Sequence, residues 1–171
     1  MKSQTPNRSE PVPGTSFEVA LRVLGAREHS CHEMGQKLLS RGFEEVEVQE
    51  TLRKLKQYGY LDDERFAAIL ARSNQGLGRR GLAHKMTQKG VAAEVSNSLL
   101  SQIDDEEELT RALAAARKHS PAHKIASLER DTWQRRLASF LSRRGFAMPV
   151  ILTVCRQLDE ERALELEEIN G

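Results

Sequence analysis

A short signature that occurs three times constrains the fold of this chain more than any other sequence feature. Each copy consists of an apolar residue, two further residues, a basic residue, a glycine and a second apolar residue; the copies are Leu38–Phe43, Met86–Val91 and Leu141–Phe146. Their glycines, Gly42, Gly90 and Gly145, are separated by 48 and 55 residues, a spacing that is long for two helices and suits three helices per copy. The signature therefore predicts an all-α fold, an elongated tandem array of three three-helix repeats.

The residues around each signature have the spacing of a helix with one buried side. An apolar residue stands four positions before each copy, and another stands thirteen positions after each glycine: Met34, Leu82 and Leu137, then Leu55, Ile103 and Leu158. Apolar side chains four residues apart share one helix face, and glycine ends a helix because it adopts a left-handed backbone without steric penalty. Helices are predicted near residues 17–28, 31–41, 44–57, 62–75, 79–89, 92–103, 105–118, 130–144 and 148–167.

The same repeat divides the chain into four segments. Residues 1–16, which include three prolines, are predicted to form a flexible tail. Residues 17–60, 61–104 and 105–171 are predicted to be repeats 1, 2 and 3. The longer third segment predicts an insertion near residues 119–129 and an acidic C-terminal end.

Polar residues mark several predicted helix starts. Ser30 followed by Glu33 fits a capping box, and Asp62 is a good N-cap for the first helix of repeat 2. The acidic run Asp104–Glu108 has the same interpretation, because negative charge stabilises the positive end of a helix dipole. A functional role for that run is the less favoured alternative.

The composition is typical of a helix-rich protein, with 39% hydrophobic, 30% charged and 5% aromatic residues. No apolar run approaches the roughly 20 residues that cross a bilayer, and the N-terminal segment lacks the apolar core of a signal peptide. We therefore expect a cytoplasmic protein without membrane contact. We also expect the protein to be a monomer. Its two cysteines, Cys31 and Cys155, are expected to be reduced thiols.

Patterns typical of catalysis or of a cofactor site are not recognisable. The chain has no glycine-rich, lysine-terminated phosphate loop, and Gly76–Gly78 lacks the strand and third glycine of a dinucleotide site. No nucleophile and base can be paired from the sequence. His29, Cys31 and His32 are too tightly clustered to turn inward together as zinc ligands. We predict a protein that is not an enzyme and holds neither metal nor cofactor.

Charge is strongly segregated, although the formal net charge is only +1. Residues 109–158 hold ten basic residues against Glu129 and Asp131, and acidic runs flank them. Such a pattern favours a surface for a polyanion or an acidic protein; the alternative is a solvated helix face. For the basic residue before each glycine, a further alternative is capping of the helix C-terminus. Trp133 lies four residues before Leu137 and is predicted to be core rather than a platform for a nucleic-acid base.

One stretch carries a more specific signal. Residues 60–67 read Tyr-Leu-Asp-Asp-Glu-Arg-Phe-Ala, and after them come Arg72, Gly76, Gly78, Arg79, Leu82 and Lys89–Val91. This stretch resembles the most distinctive part of the RecX family, and the resemblance covers roughly residues 17–160, most weakly in the third repeat.

The resemblance implies a bacterial regulator of the RecA recombinase. It implies binding to RecA filaments on single-stranded DNA and inhibition of ATP hydrolysis, strand exchange and coprotease activity, through groove binding, blocked filament extension or both. The alternative function is a helical module that competes directly for single-stranded or double-stranded DNA.

Two sets of residues follow from the resemblance and the charge pattern. The set predicted to be structural comprises Tyr60, Leu61, Asp62, Asp63, Arg65, Phe66, Gly42, Gly90 and Gly145. Within it, the two aspartates are expected to cap and orient the helix, the arginine to pair with an acid and the phenylalanine to pack between repeats. The set predicted to contact RecA or DNA comprises Arg72, Arg79, Arg80, Lys85, Lys89, Arg135, Arg136, Arg143 and Arg144.

Overall fold

The computed structural model describes the backbone of residues 14–119 and 129–170, with side chains described as far as residue 164. These ranges contain nine helices and no strand: α1 (Ser16–Leu24), α2 (Cys31–Leu39), α3 (Glu45–Gln57), α4 (Asp63–Ser73), α5 (Arg79–Gln88), α6 (Ala93–Leu100), α7 (Asp105–His119), α8 (Arg130–Arg143) and α9 (Met148–Asn170). The predicted all-α fold is confirmed.

The helices pack in threes. Helices α1–α3, α4–α6 and α7–α9, here called repeats 1, 2 and 3, each surround a hydrophobic cluster of their own. Every apolar position that the repeat signature singled out before its glycine is buried: Met34, Leu38, Leu82, Met86, Leu137 and Leu141 are each 0% exposed. Burial of one such side chain contributes about 1.5–3 kcal/mol, so the signature specifies the core of each repeat.

The three signature glycines end the second helix of each repeat in a left-handed conformation. Their φ angles are +89° at Gly42, +69° at Gly90 and +80° at Gly145. The basic residue before the first of them acts as a helix cap, since Arg41 Nη1 donates to the carbonyl oxygen of Lys37 at 3.1 Å. The capping interpretation therefore holds in repeat 1, and the equivalent cations of repeats 2 and 3 have other contacts, described below.

Two predicted helices end at least three residues earlier than expected. Helix α1 was expected to reach residue 28 but ends at Leu24, because the chain then turns at Gly25 and carries His29 into the interior, where it is 2% exposed. Helix α6 was expected to reach residue 103 but ends at Leu100. There the chain leaves the helix so that Ile103, 6% exposed, can enter the core of repeat 2.

The predicted capping box at α2 forms only in part. Ser30 Oγ accepts a hydrogen bond from Glu33 N at 3.0 Å, but the Glu33 carboxylate binds Arg27 and Lys89 instead of returning to the backbone of Ser30. A complete capping box occurs at α1, where Thr15 and Glu18 exchange both hydrogen bonds.

Three predicted features lie partly or wholly outside the described residues. The expected flexible tail of residues 1–16 is described only from residue 14. Residues 120–128 of the expected insertion, and the side chains of the acidic end beyond residue 164, are also outside the described residues.

Candidate functional site

Repeats 1 and 2 meet where the signature of repeat 2 contacts the start of α2. A Cβ built on Gly90 would lie 2.3 Å from the His32 side chain, so this position has room only for glycine. The carbonyl oxygen of Lys89 accepts a hydrogen bond from Ser30 Oγ, and Lys89 Nζ lies 2.7 Å from Glu33 Oε1. The basic residue and the glycine of the signature thus fasten repeat 2 to repeat 1.

The carboxylate of Glu33 is the electrostatic centre of this junction. Burial raises its pKa, but hydrogen bonds from Arg27 and Lys89 and the charges of both outweigh burial and lower the pKa of Glu33 to about 2. The group therefore stays ionised at any physiological pH, and the junction keeps its ion pairs.

The first turn of α4 completes the same junction. Asp62 Oδ1 accepts hydrogen bonds from the backbone of Glu64 and Arg65, so it caps its own helix as predicted. Asp63 Oδ1 instead accepts from Cys31 N at 2.9 Å and thereby caps α2 of the preceding repeat. The two adjacent aspartates thus cap two different helices.

Two neighbours of these aspartates fix the loops beside the junction. Arg65 Nε lies 3.0 Å from Glu28 Oε1, and the same guanidinium donates to the carbonyl oxygens of Gly59 and Tyr60. Phe66 was expected to pack between repeats; it is buried, but it packs in the core of repeat 2. The Tyr-Leu-Asp-Asp-x-Arg-Phe segment therefore joins repeats 1 and 2.

Repeats 2 and 3 are joined by a similar arrangement. Glu108 of α7 is 1% exposed; its Oε1 accepts from Arg79 N at 3.0 Å and its Oε2 from Arg79 Nε at 2.6 Å. Asp105 pairs with the same guanidinium. Hydrogen bonds to Asp105 and then to Glu108 raise the pKa of Arg79. An acid from repeat 3 thus caps α5 of repeat 2, as Asp63 caps α2.

Backbone contact between glycines brings these two repeats close together. Gly78 N donates to the carbonyl oxygen of Arg144 at 3.0 Å. A Cβ on Gly81 would lie 2.3 Å from that oxygen, and a Cβ on Gly145 would lie 2.1 Å from Gly81 N. No side chain can be accommodated at either position without moving the backbone.

A buried arginine, Arg111, holds the other side of this junction. Its guanidinium is 9% exposed and donates to the carbonyl oxygens of Ala71, Asn74 and Leu77. These carbonyls end α4 and begin the loop to α5, so repeat 3 also caps the C-terminus of a repeat 2 helix.

The structure sorts the nine predicted contact residues into three groups. Arg79 and Lys89 are ion-paired at the two junctions. Exposed side chains without a described ion pair are those of Arg72, Arg80, Arg135, Arg136, Arg143 and Arg144. Lys85 is half-buried and donates to Asn74 Oδ1. The first group is engaged at the junctions, whereas the other two groups make no ion pair among the described residues.

A cleft between repeats 2 and 3 brings two of the predicted residues together. Its volume is about 610 Å³, and Lys85 reaches it from α5 while Arg144 reaches it from the end of α8. Three further side chains that line it, those of Lys118, His119 and Phe140, were not predicted from the sequence. Lys118 falls at the end of a predicted helix, His119 at the start of the predicted insertion and Phe140 within another predicted helix, so no sequence signal connected them.

The tryptophan and the two tyrosines of the chain do not line the cleft. Trp133 is 2% exposed and belongs to the core of repeat 3, as predicted. Tyr58 and Tyr60 are exposed and make edge contacts with Phe17, with ring centroids 6.2 and 6.3 Å apart. Neither tyrosine lines the cleft.

Family models of known proteins match the first two repeats. The family models for the first and second three-helix domains of RecX match residues 17–55 and 62–100. The regulatory protein RecX of a Mycobacterium species (strain KMS) is 36% identical over 154 residues, which cover 87% of this chain and 82% of that protein. The chain belongs to the RecX family.

Other members of the RecX family support the assignment. The regulatory protein RecX of Streptomyces coelicolor is 31% identical over 156 residues, covering 88% of this chain and 81% of that protein. The crystal structure of RecX from Lactobacillus salivarius has the same fold, with a TM-score of 0.74 at 20% identity over 84% of this chain and 94% of that one. No helix in the described ranges combines the length and apolar character that a membrane span requires.

Proposed function

We propose that this RecX-family chain regulates RecA by binding RecA filaments on single-stranded DNA. In this proposal it acts in the cytoplasm as a monomer and inhibits ATP hydrolysis, strand exchange and coprotease activity. The observation that carries the proposal is family membership, since its relatives are named regulatory proteins. The absence of any recognisable catalytic pattern in the sequence agrees with a regulator rather than an enzyme.

The arrangement of the repeats supports a mechanism. Each repeat is tied to the next by a buried or half-buried acid, Asp63 or Glu108, that caps a helix across the junction. A linear array of coupled units can contact several neighbouring filament subunits at once, so that weak contacts combine into high avidity. Such a clamp would restrain the subunit motions that ATP hydrolysis requires, or cover the surface onto which the next subunit adds.

The exposed cations are the proposed contact residues. Arg72 and Arg80 lie on α4 and α5 of repeat 2, and both side chains are exposed. Arg79, by contrast, holds Glu108 and Asp105, so reversing its charge would disrupt the junction rather than test a contact. A test of partner contact in repeat 2 should therefore change Arg72 and Arg80 and leave Arg79 in place.

The decisive experiment is the ATPase rate of preformed RecA filaments on single-stranded DNA as the protein is added. We expect the rate to fall at less than one chain per RecA subunit, at a salt concentration where the protein alone does not bind naked DNA. The double variant Arg72→Glu, Arg80→Glu should inhibit at least ~10-fold less well, because reversed charges repel an acidic partner. The control Arg53→Glu, Arg156→Glu reverses two exposed cations outside the predicted contact set and should inhibit like the native chain.

Two results would overturn parts of the proposal. An unchanged ATPase rate at saturating protein would refute filament regulation. Inhibition that disappears when excess DNA is added would favour direct competition for DNA, which also falls steeply with salt. Equal loss in the two double variants would remove Arg72 and Arg80 from the contact surface.

A further inference from the structure

The cleft between repeats 2 and 3 has the chemistry of an anion site. Three cationic side chains reach it from three elements: Lys85 from α5, Lys118 from the end of α7 and Arg144 from the end of α8. Asn74 places its side-chain oxygen on Lys85 and donates its amide to the carbonyl oxygen of Leu70 at 2.7 Å, which fixes its orientation. No carboxylate is among the described residues that line this cleft. The cations are therefore not neutralised where they converge.

A stack of flat groups lies at the same place. The imidazole of His119 lies parallel to the ring of Phe140, with centroids 3.7 Å apart and planes inclined by 1°. The guanidinium carbon of Arg144 is 5.0 Å from the centroid of the same phenyl ring. Phe140 packs against the core of repeat 3, whereas His119 is exposed. The stack thus presents a flat exposed group, His119, on a phenyl ring that packs against the core.

The positive surface continues beyond the cleft. His119 also lines a second concave region, of about 520 Å³, together with Arg135, Arg136 and Arg143 of α8. The two regions share the imidazole, and each of them is lined by cationic side chains. A ligand that follows this path needs several negative charges and a flat group near its middle.

We propose that this surface, from Lys85 through His119 to Arg143, binds a segment of single-stranded nucleic acid. Backbone phosphates would lie against the cations of the two concave regions, and one base would stack on the imidazole of His119. Single-stranded nucleic acids are bound by this combination of a basic groove and a flat stacking surface, with each stacked base contributing measurably. An acidic peptide would satisfy the cations but would leave the stack unused, and a mononucleotide would leave the arginines of α8 unused.

This inference deepens the proposed function, because a RecA filament contains single-stranded DNA, but it is tested without RecA. The probe is a fluorescein-labelled dT12 oligonucleotide, and the readout is anisotropy at 50 and 200 mM NaCl. A second probe of equal length and charge carries only abasic sugar phosphates. We expect the native chain to bind dT12 more tightly than the abasic probe, and both more weakly at the higher salt concentration.

Three variants separate stacking from charge. His119→Ala should weaken binding of dT12 by about 10-fold and leave binding of the abasic probe within about 2-fold, because it removes one stacked base. Lys118→Glu should weaken binding of both probes. Arg53→Glu, the matched reversal of an exposed cation on α3, should weaken both probes much less than Lys118→Glu does. Circular dichroism confirms that each variant is folded.

Several results would overturn the inference. Failure of the native chain to bind dT12 at 50 mM NaCl would refute it, as would equal effects of Lys118→Glu and Arg53→Glu. Equal loss of both probes in His119→Ala would refute the stacked base. Competition by a polyglutamate peptide as strong as competition by unlabelled dT12 would assign the surface to an acidic protein. Intact dT12 binding with no effect on the RecA ATPase rate would overturn the proposed function and leave this inference standing.

Discussion

The cap that Glu108 provides across the junction of repeats 2 and 3 gives the sharpest test of how the array is held together. Its side chain is 2% exposed and accepts two hydrogen bonds from Arg79, one from the backbone and one from the guanidinium. A hydrogen bond to a charged group contributes about 1.5–3 kcal/mol. Arg79 is 35% exposed and regains water when the acid is removed, which reduces the loss. We expect Glu108→Ala to lower the free energy of unfolding by about 2–4 kcal/mol.

Urea unfolding followed by two probes would measure this effect. Far-ultraviolet circular dichroism reports all helices, whereas the fluorescence of Trp133, the single tryptophan, reports repeat 3. We expect coincident transitions in the native chain and separate transitions in Glu108→Ala, because the variant uncouples repeat 3 from repeat 2. The matched control is Asp105→Ala, which removes a 90% exposed partner of the same arginine and should cost less than about 1 kcal/mol. Equal losses in the two variants, or coincident transitions in both, would show that the buried cap does not couple the repeats.

Three further predictions concern stability and reactivity. The pKa of Glu33 is lowered to about 2 from an ordinary value of 4.5, so the contribution of its ion pairs to stability is complete above pH 4.5 and is lost as the pH falls towards 2. In urea titrations, Glu33→Gln should be less stable than the native chain at pH 7 by on the order of 2–3 kcal/mol, and its stability should change less between pH 4.5 and pH 2. Gly81→Ala places a Cβ 2.3 Å from a backbone oxygen and should lower the melting temperature through a loss of about 1–3 kcal/mol, whereas Gly25→Ala, whose nearest atom is 3.5 Å away, should not lower it. Burial, and after it the nearby carboxylate of Asp63, raises the pKa of Cys31 to about 11. In a Cys155→Ser variant, Cys31 should therefore react with a disulfide reagent at pH 8 far more slowly in the folded protein than in urea, and equal rates would contradict its burial.

The fold could be predicted from the sequence because the features that specify it are local and occur in every repeat. The stripe from Met34 to Leu38 and its copies specify which face of each helix is buried, and the glycine that follows specifies where the helix ends. Helix ends such as Leu24 were predicted less well, since the burial of His29 depends on the whole repeat. Long-range packing therefore decides the ends, and local pattern decides the helices.

The candidate site was only partly predictable, because charge alone does not show whether a cation is already paired. Arg79 and Arg80 are adjacent and look equivalent in the sequence, yet the first is paired with a buried acid 29 residues away and the second is exposed. Similarly, His119 and Phe140 come into contact only because α7 and α8 pack side by side. Contacts between residues distant in sequence thus separate structural cations from those available to a partner.

The direction of the caps has a consequence for synthesis of the chain on the ribosome. In each case the capping acid belongs to the later repeat. The backbone N–H of Cys31 is capped by Asp63, which is synthesised 32 residues later, and that of Arg79 is capped by Glu108, which is synthesised 29 residues later. At roughly 5–20 residues per second, each delay is roughly 1.5–6 seconds. For most of that interval the third helix of the earlier repeat is still being made, and the last core residues of repeats 1 and 2, Leu61 and Ile103, precede the capping acids by only two and five residues. Each repeat is therefore completed only when the first turn of the next repeat has been made, so its core and its cap from that repeat become available almost together.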